Sequence, residues 1–194
     1  MPRKGLCSEN ILQAAVGLLD ERGLEGFSLR ELAARLGVQP ASLYNHVEGV
    51  AELEIALGVE AARQMSETLF RAISGLEPDD AFLSAARTYR DYALQHPERY
   101  QALMRMPSSD ERQILAASWD SFAPFRELVA GYGASRQRTV HYLRSLRAAL
   151  HGFLSLEAAG FMRHYDLSTS ESYEQMIRDY LCTLKRLASS RPSR

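Results

Sequence analysis

The sequence predicts an all-α protein: a three-helix N-terminal head with a helix-turn-helix pattern, followed by a larger helical region. Three observations carry this expectation. Apolar residues recur at three- and four-residue spacing along most of the chain, and strand-type alternation is almost absent. Ser or Asp precedes several of these stripes and Gly follows several, where helix caps and stops belong. Two of the earliest stripes are short and joined by a glycine turn, which is the outline of a helix-turn-helix.

Ile11, Ala15, Leu18 and Leu19 form the first stripe, with Ser8 as N-cap and Gly23 as stop. Ser28 caps a short helix, Glu31 completes a capping box, Leu32 and Leu36 supply the inner face, and Gly37 ends it. Pro40 opens another short helix expected to reach Val47, because proline suits a first helical turn. From Val50 a long helix carries Leu53, Leu57, Ala61, Met65 and Leu69 in one stripe and stops near Gly75. Asp79 or Asp80 caps the next helix, which runs to His96, and Pro97 starts a short one. Ser108 and Glu111 form a second capping box ahead of an element that Pro124 has to kink or break. The turn "GYGAS" precedes a long helix from Arg136 to Tyr165. Ser168 and Glu171 then open the last helix, which ends near Ala188. Residues 1–50 form the predicted head and residues 51–194 the larger region.

The 194 residues are enough to bury a real core. With a net charge of −1, any nucleic-acid role has to rest on local charge placement. Cys7 and Cys182 are the only cysteines, which excludes a disulfide framework and a CxxC metal pair and suits reduced thiols inside a cell. Arg3 and Lys4 ahead of "ILQAAVGLL" have the outline of a secretory signal. Asn10 and Gln13 interrupt the apolar run, however, and no small-residue cleavage site follows. No apolar stretch approaches a membrane span, so a cytoplasmic location is expected.

Catalytic patterns are missing: no HExxH, no GxSxG, no phosphate-binding glycine loop and no repeated Glu-x-x-His. His96, His141 and His164 are dispersed, and Asp79-Asp80 suits a helix cap. Neither enzymatic activity, nor a metal, nor a cofactor is expected. A helical protein-binding adaptor without DNA binding is the rival to a DNA-binding reading.

The stretch "GVQPASLYNHV" points toward DNA. Leu43 and Val47 lie one turn apart and suit contact with Leu18, Leu32 and Leu36. Ala41, Ser42, Tyr44 and Asn45 then face outward, a row of small and hydrogen-bonding groups of the kind that enters a major groove. Ala41 permits close approach and suits a thymine methyl, and Asn45 can pair with adenine. Ser42, Tyr44 and His46 can donate to phosphates.

"FSLRELAARLGVQPASLYNHVEGVAEL" resembles the DNA-binding domain of the tetracycline-repressor (TetR) family. The resemblance rests on Leu36-Gly37-Val38, Leu43-Tyr44-Asn45-His46-Val47 and Leu53, and covers Ile11 to Leu57. It implies that Arg30 reads a base or phosphate, that Gln39, Ala41, Ser42, Asn45 and His46 line the groove, and that Tyr44 holds a phosphate. Val50 stands where the family often has a backbone-touching lysine, and Glu48 adds a negative charge. Arg3 and Lys4 could supply compensating phosphate contact.

"HPERYQALMRMP" and "LRSLRAALHGFLSLEAAGFM" resemble the C-terminal domain of TetR-type regulators named for a Trp-His-Gly signature; His151-Gly152 is present without the preceding tryptophan. The resemblance implies a repressor of a palindromic operator, released by a small hydrophobic effector held among the central helices. It also implies a homodimer through the last two long helices. Residue patterning agrees with the dimer. One apolar stripe runs through Tyr173, Met176, Ile177, Tyr180, Leu184 and Leu187, and the preceding helix carries Val140, Leu143, Leu150, Leu154 and Phe161 on one side. Leu146, Ala149, Phe153 and Leu156 lie on another. Two apolar sides suit a core and a subunit, or a monomer burying both. Val140, Leu143, Leu150, Leu154, Tyr173, Ile177, Tyr180 and Leu184 are the candidate interface. Tyr89, Tyr92, Met104, Trp119, Phe122, Phe125 and His151 are candidates for the cavity lining, though such residues equally suit plain core, and His151 a hydrogen-bonded core position.

Overall fold

The computed structural model describes residues 6–106, 112–164 and 166–189, apart from the side chains of residues 113 and 118. Helices alone form regular structure among the described residues. The chain divides into two packing units, one of Met1–Gln64 with Leu94–Asp120 and the other of Met65–Ala93 with Ser121–Arg194.

In the first unit, α1 (Ser8–Arg22), α2 (Leu29–Leu36) and α3 (Pro40–Leu43) form the head. Cys7, not Ser8, stands at the N-cap of α1, a one-residue shift of the usual kind. The Ser28 half of the expected capping box of α2 is present: Ser28 Oγ accepts from the Glu31 N–H at 3.3 Å, while the Glu31 carboxylate accepts from the Ser28 hydroxyl at 3.2 Å rather than from the Ser28 backbone N–H. Gly37 ends α2 in the left-handed region, at φ 69°, where a side chain would be strained. Helix α3 is shorter than the expected Pro40–Val47. After Leu43 the chain tightens, with the His46 N–H bonding Leu43 O at 2.8 Å before the Val47 N–H returns to the same oxygen at 3.0 Å.

Helix α4 (Val50–Ile73) buries Leu53, Leu57, Ala61, Met65 and Leu69 as its spacing predicts, and its first part closes the head core. That core also takes Ala102 from α6 (Pro97–Arg105). Gly58 of α4 admits α6 closely, since a Cβ there would lie 2.3 Å from Met106 Cγ and 3.0 Å from the Ala102 carbonyl oxygen. Arg99 of α6 donates twice to Asp20 of α1, at 2.8 and 2.5 Å, and once to Gln64 of α4 at 2.7 Å. Helix α7 (Arg112–Asp120) completes this unit; the expected capping box at Ser108 and Glu111 falls outside the described residues.

The second unit holds most of α5 (Pro78–Gln95) with α8 (Ala123–Gly131), α9 (Arg136–Ala158) and α10 (Thr169–Ser189). Asp79 and Asp80 sit in the first turn of α5. The Asp79 carboxylate is spent on Tyr132 and Lys185, at 2.7 and 2.5 Å. The element is broken ahead of Pro124, as predicted: α7 ends at Asp120, and Pro124 sits in the first turn of α8. Helix α9 ends at Ala158, short of Tyr165. Gly160, at φ 76°, turns the chain while its N–H bonds Glu157 O and the Phe161 N–H bonds Leu156 O, a Schellman closure. Phe82, Phe125, Leu146, Leu150, Ile177 and Leu184 form the core of this unit. Arg90 forks onto Glu157 at 3.0 and 2.5 Å, and Arg87 onto Glu174 at 2.9 and 2.5 Å, tying α5 to α9 and α10.

Candidate nucleic-acid interface

The segment Gly37 to Val47 is built from one anchor and a set of outward groups. Leu43 is completely buried in the head core, and Leu36, Val38 and Val47 pack half-buried against that core. Anchoring one side of so short an element forces the rest outward. Gln39, Ala41, Tyr44, Asn45 and His46 are exposed and Ser42 is half-buried. Tyr44 is 60% exposed, an aromatic side chain for which the head core has no use. Gln39 precedes α3 in extended conformation and Pro40 occupies its first turn, so α3 begins abruptly and presents its N-terminal end.

Arg30 is exposed in the first turn of α2. The neighbouring Arg35 instead pairs with Glu21 at 2.8 Å. Acidic groups crowd the entry to α4: Glu52 Oε2 accepts from the Glu48 N–H at 2.5 Å, capping that end, and Glu48 is itself exposed. Arg3 and Lys4 lie outside the described residues.

The candidate effector residues do not fall together. Tyr89, Phe122 and Phe125 of the second unit form one buried aromatic cluster with Phe82. Phe122 stacks on Phe125 at 4.6 Å between ring centroids, and Tyr89 meets both edge-on at 6.3 Å. Tyr92 is buried as well. His151 is half-buried and lies 3.5 Å from Ser155 Oγ; burial first, then the Arg147 charge, lowers its pKa. Met104 belongs to the first packing unit. Trp119 is 62% exposed, so it lines no enclosed cavity and its place among the candidates is corrected.

The candidate interface residues also need correction. Leu150, Leu154, Tyr173, Ile177 and Leu184 are buried within the single chain and have no surface left for a partner. Tyr173 spends even its hydroxyl inside, donating to Ala86 O at 2.6 Å. Val140, Leu143 and Tyr180 are half-buried, and Met176, Thr183 and Leu187 continue the row begun by Tyr180. On α9 the outward positions include Ala148 and Ser155, beside half-buried Gly152. The apolar stripes named in sequence are therefore largely the inner faces of α9 and α10, and the outer faces mix small and polar side chains with half-buried Val140, Leu143, Met176, Tyr180 and Leu187 and with Leu156, which is 48% exposed.

Sequence reasoning missed the clasp of α6 on the head. Its signals were faint: Gly58 without a stop or cap role inside a long helical pattern, and Ala102 opposite it. Among the described residues, no cluster of three or more His, Cys, Asp or Glu side chains could hold a metal ion, and no helix is long and apolar enough to cross a membrane.

Residues 11–48 match the family model described as bacterial regulatory proteins, tetR family, and residues 82–180 match that described as tetracyclin repressor-like, C-terminal domain. The HTH-type transcriptional regulator Rv0681 of Mycobacterium tuberculosis is 34% identical over 173 residues, covering 89% of this chain and 78% of the relative. The HTH-type transcriptional regulator YobS of Bacillus subtilis is 32% identical over 184 residues, covering 94% of this chain and 95% of the relative. The fold is shared with a variant of TetR from Acinetobacter baumannii AYE solved in complex with minocycline. That match has a TM-score of 0.69 and 19% identity over 96% of this chain and 100% of that one.

Proposed function

The chain belongs to the TetR family of DNA-binding, helix-turn-helix transcriptional regulators, and on that premise we propose that it represses transcription by occupying a palindromic operator until a small effector releases it. The observation that carries this is the segment Gly37 to Val47, with Leu43 sunk in the core and Tyr44, Asn45 and His46 exposed beside it. Asn45, Gln39 and Ala41 meet base edges, while Ser42, Tyr44, His46 and Arg30 hold the phosphate backbone. With few cations nearby, affinity leans on these hydrogen bonds more than on counterion release. Residues 1–50 carry DNA reading, and residues 51–194 carry effector recognition and dimerisation, in the cytoplasm and without catalysis.

The dimer forms through outward faces of α9 and α10, using Val140, Leu143, Met176, Tyr180 and Leu187 around the small residues Ala148 and Gly152. A twofold pair of heads then matches a twofold operator. The effector is small and largely apolar, and it meets Tyr89, Tyr92, Phe122, Phe125 and His151. Since the rings of Tyr89, Phe122 and Phe125 already pack on one another, entry requires them to separate, and this couples binding to a change of shape.

The test is a titration of variants against specific and scrambled duplexes at fixed salt. Tyr44→Phe weakens binding to both duplexes by about 1 kcal/mol, the worth of one hydrogen bond. Asn45→Ala costs about 1–3 kcal/mol on the preferred site and relaxes the choice at one or two base pairs. If both variants bind both duplexes as the wild type does, the segment is only a polar helix face and a protein-binding adaptor becomes the better reading.

A further inference from the structure

The second unit carries a feature that neither DNA reading nor the aromatic cluster uses. It is a solvent-open groove of about 740 Å³, where the end of α4 and the turn into α5 lie beside the end of α8. That volume lies in the range of sites for drug-sized molecules. Phe70, Ile73, Leu76 and Leu128 give it an apolar lining.

Three carboxylates, those of Glu77, Asp79 and Glu127, also line it. Their states differ. Asp79 is already balanced: Lys185 Nζ lies 2.5 Å away and the Tyr132 hydroxyl donates to it at 2.7 Å, and these two contacts hold its pKa low. Asp79 therefore acts as a fixture that holds Tyr132 as an aromatic wall of the groove. Glu77 and Glu127 are exposed, and among the described residues neither carboxylate has an ion pair or hydrogen bond. Two unbalanced negative charges thus border an apolar, partly aromatic trough.

Each class of occupant can be weighed against that trough. An anion is repelled by Glu77 and Glu127. A neutral apolar molecule would strip water from both carboxylates without replacing it. A metal ion seeks oxygen ligands and gains nothing from the apolar lining. A lipophilic organic cation satisfies both parts: its body covers Phe70, Ile73 and Leu128, and its charge sits near the two carboxylates and the Tyr132 ring. We propose that this groove binds a drug-sized lipophilic organic cation, at a place distinct from the Tyr89, Phe122 and Phe125 cluster.

The experiment uses two ions of nearly equal size and apolarity and opposite charge, tetraphenylphosphonium and tetraphenylborate, titrated calorimetrically into the full chain without DNA. The cation is expected to bind once per chain, and the anion at least about tenfold more weakly. The double variant Glu77→Gln/Glu127→Gln raises the Kd of the cation by about tenfold, taking each exposed carboxylate at roughly threefold. Gly131 lines the groove, and a Cβ added there meets nothing within 4 Å. Gly131→Phe therefore fills the groove without a clash at its base, and abolishes cation binding while the melting temperature is kept. Should Gly131→Phe fold poorly, the double variant decides alone. Absent cation binding, equal binding of the two ions, or a Kd unmoved by the double variant would each overturn the proposal.

Discussion

Gly58→Val puts a number on how closely α6 is held against the head. In an isolated helix the substitution is favourable by about 0.4 kcal/mol, because valine resists helix formation less than glycine. In place, the first added carbon lies 2.3 Å from Met106 Cγ and 3.0 Å from the Ala102 carbonyl oxygen. Met106 can swing aside, but the Ala102 oxygen belongs to the backbone of α6, and Ala102 is itself buried in the head core. Valine adds two further methyls, so relief requires α6 to move, at the about 1–3 kcal/mol usual for overpacking. The net loss is about 0.6–2.6 kcal/mol, or about 1–10 °C in Tm for a chain of this size. Gly58→Ala, which gains about 1 kcal/mol of propensity against a smaller clash, should lie between Val and wild type. Thermal and urea denaturation at one fixed protein concentration measure both, since concentration alone moves the Tm of a dimer. A Gly58→Val protein as stable as wild type would refute the reasoning, because it would mean that α6 does not need its close seat on α4.

Three other outcomes follow from the packing. Ser28→Ala removes the acceptor of the Glu31 N–H and should cost about 1 kcal/mol in urea denaturation, with the loss recovered by Ser28→Thr or Ser28→Asp. The His151 pKa is lowered from its ordinary 6.5, so the unfolded chain takes up that proton first. This contribution to stability is full above pH 6.5 and fades as pH falls through the folded value, and a denaturation series against pH should lose that slope in His151→Asn. Leu184→Glu places a charge in the core and should unfold the chain, at a cost of about 4 kcal/mol or more, whereas Ala148→Glu should dissociate the dimer in sedimentation while leaving helical circular dichroism intact.

The helices were legible in the sequence because their signals are local. Ser28 with Glu31, Gly37, Pro97, Pro124 and the stripe from Leu53 to Leu69 each act within a few residues, and each stands where expected. The misses came where another group competed for the same atoms. Asp79 has the chemistry of a cap, yet Lys185 and Tyr132, distant in sequence, claim its carboxylate. The sequence predicts α9 through to Tyr165, because Gly160 inside an apolar run does not announce that it turns left-handed.

The site residues divide by the same physics. At Gly37 to Val47 a single buried anchor, Leu43, decides the direction of every neighbour on a short element, so sequence order alone separated inner from outer groups. On α9 and α10 no such economy exists. A helix apolar on two sides has one face for the core and one for a partner, and periodicity cannot say which is which. Here the larger side chains, Leu150, Leu154, Ile177 and Leu184, went inward. The reason is volume: the core of the second unit closes around the rings of Phe82, Phe122 and Phe125 and needs branched residues to fill it at native density. Small outer residues such as Ala148 and Gly152 in turn permit close approach of a partner helix. The largest apolar stripe is thus a poor guide to an interface in this chain, because the core has already taken it.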